Sequence, residues 1–332
     1  MNSTDKKKEN TPGIEHIDLS DNEPVKQFLI SDIEGIPDET EEINLEHHRI
    51  CKISHLERFK KVNFICFRNN LIKKIENLSC VKDTLTSIEF YDNQIEKIEN
   101  LEELTKLTSL DLSFNRISMI ENIEELIDLE QLYLVKNKIT MINNLEKLKK
   151  LKMLELGSNR IRKIENLENN LELSQLFLGD NKITKIENID QLVNLKLISI
   201  QNNRITKLEN LLTLKNLKEL YISFNGISEI EGLDSLVNLE ILDLGNNRIK
   251  HLNGLSGLIK LTDLWCNDNK IEEWSEIPKL QCLPSLETLY IERNPIYYTD
   301  VEKKSPDTAY ARKVMLALPK LKQLDANLTG IK

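Results

Sequence analysis

The chain has 332 residues, of which 40% are apolar and only 5% aromatic, with ten Gly and eight Pro. That much apolar side chain can fill a core, which excludes a disordered or collagen-like polypeptide. The formal net charge is −9; without an excess of Lys and Arg, the electrostatic drive toward phosphate backbones and anionic lipid is missing, so neither nucleic acid nor a membrane is an expected partner.

From the N-terminus, residues 1–40 hold ten acidic residues against four Lys, so most of the net charge sits there. No repeat is recognised in this stretch and Pro12, Pro24 and Pro37 interrupt it; residues 1–38 are read as an acidic disordered tail. No signal-peptide-like or membrane-length apolar run is found, and an intracellular protein is expected. Cys51, Cys66, Cys80, Cys266 and Cys282 form an odd set without a CxxC pair, which suits reduced thiols.

Residues 39–300 repeat one pattern, LxxLxLxxNxI. Clear copies are Leu107-Thr-Ser-Leu110-Asp-Leu112-Ser-Phe-Asn115-Arg-Ile117 and Leu151-Lys-Met-Leu154-Glu-Leu156-Gly-Ser-Asn159-Arg-Ile161. The Asn recurs at Asn70, Asn93, Asn115, Asn137, Asn159, Asn181, Asn203, Asn225, Asn247, Asn269 and Asn294, in steps of 22 residues from Asn93 to Asn269. An irregular first copy, Ile43-Asn-Leu45, carries His48 in place of Asn, giving about twelve repeats. Such self-similarity specifies an α/β leucine-rich-repeat solenoid. Each LxL is a short strand in a parallel sheet on the concave face, and the Asn amide ties the following turn to neighbouring backbone. The longer step from Asn269 to Asn294 predicts a loop near Trp274–Pro278. About ten residues return the chain to the next strand, too few for a full helix and two loops, so short 3-10 turns are expected on the convex face. Glu76, Glu99, Glu121, Glu165, Glu187, Glu209 and Glu231 recur there and are read as charges at the start of those turns. Residues 301–332 break the pattern; Val314, Leu318, Leu321 and Leu324 fit a helix and a last strand-like turn that cap the core.

Catalytic signatures are not found: there is no HExxH, no phosphate-binding glycine loop and no nucleophile elbow. An enzyme, a cofactor and a metal site are not expected. The informative positions are instead the x of LxL, one per repeat: Asn44, Cys66, Glu89, Asp111, Tyr133, Glu155, Phe177, Ser199, Tyr221, Asp243, Trp265 and Tyr290. From Glu89 onward all but Ser199 are acidic or aromatic. Rings anchor interfaces and carboxylates select a basic partner, so the expected function is capture of a folded protein. Phe114 and Phe224, just before their repeat's Asn, are read as core.

The stretches Leu110-Asp-Leu-Ser-Phe-Asn-Arg-Ile117, Met153-Leu-Glu-Leu-Gly-Ser-Asn-Arg-Ile161, Leu176-Phe-Leu-Gly-Asp-Asn-Lys-Ile-Thr184 and Arg312-Lys-Val-Met-Leu-Ala-Leu-Pro319 closely resemble the SDS-type leucine-rich-repeat regulatory subunit of protein phosphatase 1. The resemblance implies a nuclear and cytoplasmic protein that binds the phosphatase catalytic subunit and affects its maturation, activity or localisation, with a further phosphatase inhibitor subunit as a candidate third member. It implies contacts from Asp111, Tyr133, Glu155, Phe177, Asp243, Asp263, Trp265 and Tyr290; the column itself adds Glu89 and Tyr221. Tyr133 and Asp263 stand where that family is expected to carry Phe and Glu. Alternative readings are an adaptor of spliceosomal or tubulin-folding type and an internalin-like adhesin, the latter requiring a secretion signal and an anchor.

Overall fold

The computed structural model describes residues 35–329. The acidic tail expected over residues 1–38 lies, but for its last four residues, outside the described residues. Twelve three-residue strands follow one another: β1 (Glu42–Asn44), β2 (Phe64–Cys66), β3 (Ser87–Glu89), β4 (Ser109–Asp111), β5 (Gln131–Tyr133), β6 (Met153–Glu155), β7 (Gln175–Phe177), β8 (Leu197–Ser199), β9 (Glu219–Tyr221), β10 (Ile241–Asp243), β11 (Asp263–Trp265) and β12 (Thr288–Tyr290). Each pairs in parallel with the next in sequence order. Side chains alternate across a strand, so the central Ile or Leu of each is buried while its two neighbours face outward on the concave side. Three residues per strand suffice because each strand is only one side of a coil whose remaining Leu and Ile, such as Leu112, Ile117, Ile120 and Leu126, fill the same continuous core.

The Asn ladder carries out the bonding expected of it, and across repeats. Asn159 Nδ2 donates to Leu156 O at 3.0 Å, to Gly157 O at 3.1 Å and to Leu134 O of the preceding repeat at 2.9 Å. Its Oδ1 accepts the Ile139 N–H at 3.0 Å. A buried amide so placed satisfies backbone groups that the turn leaves without strand partners. In the first repeat His48 reaches only the local Glu46 O, at 2.7 Å.

A second ladder runs along the other side of the coil. Asn77, Asn100, Asn122, Asn144, Asn166, Asn188 and Asn210 all adopt a left-handed backbone, with φ of 58–60°. Each sends its amide into the repeat before it, as Asn122 Nδ2 does to Ile98 O at 2.7 Å. Gly232 and Gly254 take over the position with φ of 68° and 76°. At Gly254 a Cβ would stand 2.2 Å from Ile230 O, so only glycine fits that close approach.

The convex side consists of single i→i+3 turns, for example Leu104 N–H to Leu101 O at 2.9 Å and Leu107 N–H to Leu104 O at 3.0 Å. They lengthen into 3-10 helices at Ser79–Val81 and Trp274–Cys282, the second being the insertion between Asn269 and Asn294. The recurring Glu of this side precedes the left-handed Asn and then one isolated turn. The helix-start account of those charges finds no helix of useful length to act on.

After β12 a short antiparallel pair, β13 (Tyr298–Asp300) and β14 (Ser305–Pro306), leads into α1 (Tyr310–Ala317). Tyr310, Val314, Leu318, Leu321 and Leu324 are buried against the last repeat. Two-residue strands β15 (Gln323–Leu324) and β16 (Asn327–Leu328) finish the sheet, β15 parallel to β12. Asp325 does for β12 what Asn does elsewhere: its Oδ1 accepts the Ile291 and Glu292 N–H groups at 2.8 and 3.0 Å. The Tyr310 hydroxyl donates to Asp325 Oδ2 at 2.9 Å, locking helix to sheet.

Phe114 and Phe224 are not core residues. Both occupy the left-handed corner before the ladder Asn, with φ of 56° and 54°, which aims the ring out of the coil. Phe224 is 57% exposed, and Phe114 is half-buried on the surface against Tyr91, at 4.6 Å between ring centroids.

The concave face as a candidate protein interface

The inter-leucine positions fall into one register-matched column. Glu89 pairs with Asp111, Asp111 with Tyr133, Tyr133 with Glu155, Glu155 with Phe177, Phe177 with Ser199, and Ser199 with Tyr221. Tyr221 then pairs with Asp243, Asp243 with Trp265 and Trp265 with Tyr290. Neighbours at about 4.8 Å bring all ten sequence-predicted residues onto one face, Asp263 in the parallel column at the opposite end of each strand. That second column also carries Gln131, Met153, Leu197, Glu219 and Ile241.

Between β3 and β6 the face is acidic. Glu89, Asp111 and Glu155 are half-buried carboxylates. Burial, and secondarily the Asp111 charge, raises the Glu155 carboxyl above its ordinary value. Burial also raises the Tyr133 phenol, with Glu155, Asp111 and Glu89 adding to the effect. Asp111 Oδ1 accepts the Ser113 N–H at 2.8 Å, and the Tyr133 hydroxyl donates weakly to Gln131 Oε1 at 3.3 Å.

Between β9 and β12 the face is aromatic. Trp265 lies 6.1 Å from Tyr221 at an interplanar angle of 52°, and 6.0 Å from Tyr290 at 72°. Tilted and edge-on packing at these separations is favourable and holds the rings as a unit. Asp243 forms the floor of this cluster, 7% exposed. Its carboxylate takes the Ser223 hydroxyl at 2.6 Å and the Gly245 N–H at 3.0 Å, and burial still raises its pKa. Tyr221 donates to Glu219 Oε2 at 2.8 Å, and burial together with that carboxylate pushes its phenol up to about 12. Tyr290 accepts from Gln323 Nε2 at 2.6 Å, so the cap orients the last ring. Asp263 is tied to the Thr262 hydroxyl at 2.7 Å.

Linking the two ends, Val135, Glu155, Gly157, Phe177, Gly179 and Phe224 line a shallow groove on the concave surface. The absent side chains of Gly157 and Gly179 open it, and Phe224 forms its exposed wall. Sequence reasoning assigned Phe224 to the core and passed over Glu219; the signal for both lay in their fixed offset from the strand centre. Among the described residues no group of three or more His, Cys, Asp or Glu is placed to hold a metal ion, and no helix is long and apolar enough to cross a membrane.

Comparisons with known proteins agree with this architecture. Family models described as "Leucine-rich repeat" and "Leucine Rich repeats (2 copies)" match residues 58–161 and 215–257. An internalin of Listeria monocytogenes superposes with a TM-score of 0.66 at 23% identity, over 86% of this chain and 87% of that one. A leucine-rich-repeat protein of Leptospira interrogans gives 0.64 at 24%, over 81% and 73%. At those identities the likeness is one of fold. Protein phosphatase 1 regulatory subunit SDS22 of Schizosaccharomyces pombe is 45% identical over 77 residues, covering 23% of this chain and 22% of that protein. The Saccharomyces cerevisiae protein of the same name is 42% identical over 114 residues, covering 32% of each. Human protein phosphatase 1 regulatory subunit 7 is 51% identical over 53 residues, 16% of this chain and 12% of that one. The matches thus span less than a third of the length of these curated relatives.

Fold and face together define a leucine-rich-repeat solenoid with one long, open concave face. Within that class, the curated proteins to which parts of the chain are similar are named as SDS22-type regulatory subunits of protein phosphatase 1.

Proposed function

We propose that the chain is a regulatory subunit that holds the catalytic subunit of protein phosphatase 1 against its concave face and thereby controls that enzyme's maturation, activity or localisation, in nucleus and cytoplasm. The observation that carries this reading is the in-register column itself. From Glu89 to Tyr290 every repeat but that of Ser199 presents a ring or a carboxylate, most of them half-buried, on a sheet of twelve parallel strands on the order of 50 Å long, in a chain only 5% aromatic. A surface of that length suits a folded domain; a small ligand needs an enclosing pocket. The names of the relatives supply the partner, and the acidic half supplies a reason for it to present basic side chains. A further phosphatase inhibitor subunit joining the pair belongs to the same proposal.

The test is titration of purified phosphatase catalytic subunit with wild type, Trp265→Ala and Phe177→Ala. Both variants are expected to lose most of the affinity while melting within a few degrees of wild type, since neither ring fills the core. Undiminished binding by both would remove the concave face as the docking surface.

A further inference from the structure

The concave face carries a cation that the repeat does not call for. Three columns line it: the residues before and after each buried strand centre, and the residue two positions beyond. Across all repeats these columns contain a single Lys or Arg, Arg68. Its equivalents in the repeats that follow directly carry no charge: Tyr91, Ser113, Val135, Gly157 and Gly179.

Arg68 lies over the acidic end of the column. Its Nε is 3.3 Å from Glu89 Oε2 and its Nη2 is 3.7 Å from Asp111 Oδ2, so one guanidinium spans carboxylates on two successive strands. The group is held in place from the side, with Cζ 4.6 Å from the centroid of the Tyr91 ring. Tyr91 in turn packs at 4.6 Å on Phe114, and Lys136 Nζ sits 4.8 Å from the Phe114 centroid. A cation–ring–ring–cation stack therefore braces Arg68 across four consecutive repeats. Stacking of this kind suits the planar guanidinium and orients it. It also gives a use to Phe114 in a left-handed corner that bulky side chains disfavour.

We propose that Arg68 is a built-in counter-cation that occupies the Glu89–Asp111 pair, so that a partner's basic side chains are directed to Glu155 and to the carboxylates beyond it, Glu219 and Asp263. Arg68 thus sets where along the solenoid a basic surface docks. This rests on the proposed function for the identity of the partner; the electrostatic part stands without it.

Two probes separate the parts: the phosphatase catalytic subunit and an oligo-arginine peptide, each titrated at low and high salt. Arg68→Gln is expected to tighten peptide binding roughly tenfold at low salt and to steepen its salt dependence, because two carboxylates are released to solvent. Adding Glu89→Gln and Asp111→Asn to Arg68→Gln should erase that gain. Arg68→Lys keeps the charge, and it should bind the peptide as wild type does. The proposal is overturned if Arg68→Gln binds the peptide no more tightly than wild type, if Arg68→Lys shows the same gain as Arg68→Gln, or if the gain survives loss of Glu89 and Asp111. Should the phosphatase fail to bind wild type at all, the regulatory reading falls while the peptide arm still decides the role of Arg68.

Discussion

The two halves of the concave face are built on the same backbone and present different chemistry. From β3 to β6 the outward positions are Glu89, Asp111, Tyr133 and Glu155; from β9 to β12 they are Tyr221, Asp243, Trp265 and Tyr290. In the first half the carboxylates are half-exposed, whereas in the second Asp243 is sunk beneath the rings and its oxygens are taken by Ser223 and Gly245. Exposed charge steers and selects, while clustered rings supply contact area that is desolvated on docking. Under the proposed function the comparison implies a division of labour: the first half would choose a partner by charge, through Glu155 where Arg68 occupies Glu89 and Asp111, and the second would hold it. The halves differ on the opposite side of the coil as well, where the Asn ladder gives way to Gly232 and Gly254.

The sharpest way to break the comparison is to remove the central ring. Trp265→Ala deletes the member that touches both Tyr221 and Tyr290. It is expected to weaken phosphatase binding by about 2–4 kcal/mol, as loss of an interface anchor does, measured by calorimetric titration. On the stability side, Gly254→Ala forces a Cβ against the Ile230 carbonyl in a left-handed backbone. A loss of about 2–3 kcal/mol in urea unfolding is expected from overpacking and strain together. Asn122→Ala, the same position in the other half, removes one amide bond and strains the backbone without a clash of that severity. Roughly 1–2 kcal/mol is expected there. If the two variants were reversed in size, the two versions of the ladder would not differ as described.

The smallest effect concerns pH. The Glu155 carboxyl is raised by burial and by Asp111. Its ionised form is therefore disfavoured in the folded protein, and its contribution to stability is full below the unfolded carboxyl pKa and falls as pH rises through the unfolded and then the raised folded value. Partner binding runs the other way, because a basic side chain needs the ionised carboxylate. Affinity is expected to fall on acidification at a higher pH than for an ordinary surface Glu, and Glu155→Gln should flatten that part of the profile. An unchanged profile in the variant would remove Glu155 from the selecting half.

Much of this was legible in the residues. A fixed step of 22 and a two-residue alternation at each LxL leave no freedom in which residues share a face. The column from Glu89 to Tyr290 and the Asn ladder follow directly, as does a cap from the spacing of Val314, Leu318, Leu321 and Leu324. What stayed hidden depends on backbone handedness. Phe114 and Phe224 are apolar and sit beside a buried Asn, which reads as core, but the left-handed corner that lets the Asn turn inward throws the residue before it outward. The second Asn ladder was masked by its neighbours: in the recurring Ile-Glu-Asn the Glu drew notice, while the structural part is played by the Asn and its reach to the previous repeat. Arg68 was hidden for a third reason, since its partners Glu89, Asp111 and Tyr91 lie in the next two repeats and are brought to it only by the stacking.

The most direct test of the docking face is oxidative footprinting of the chain alone and in complex with the phosphatase catalytic subunit. Tyr221, Trp265 and Tyr290 are expected to become protected, while the exposed Met119 and Met141, which lie off the concave sheet, react as before. Rings that stay equally reactive in the complex while Met119 and Met141 are shielded would contradict the account.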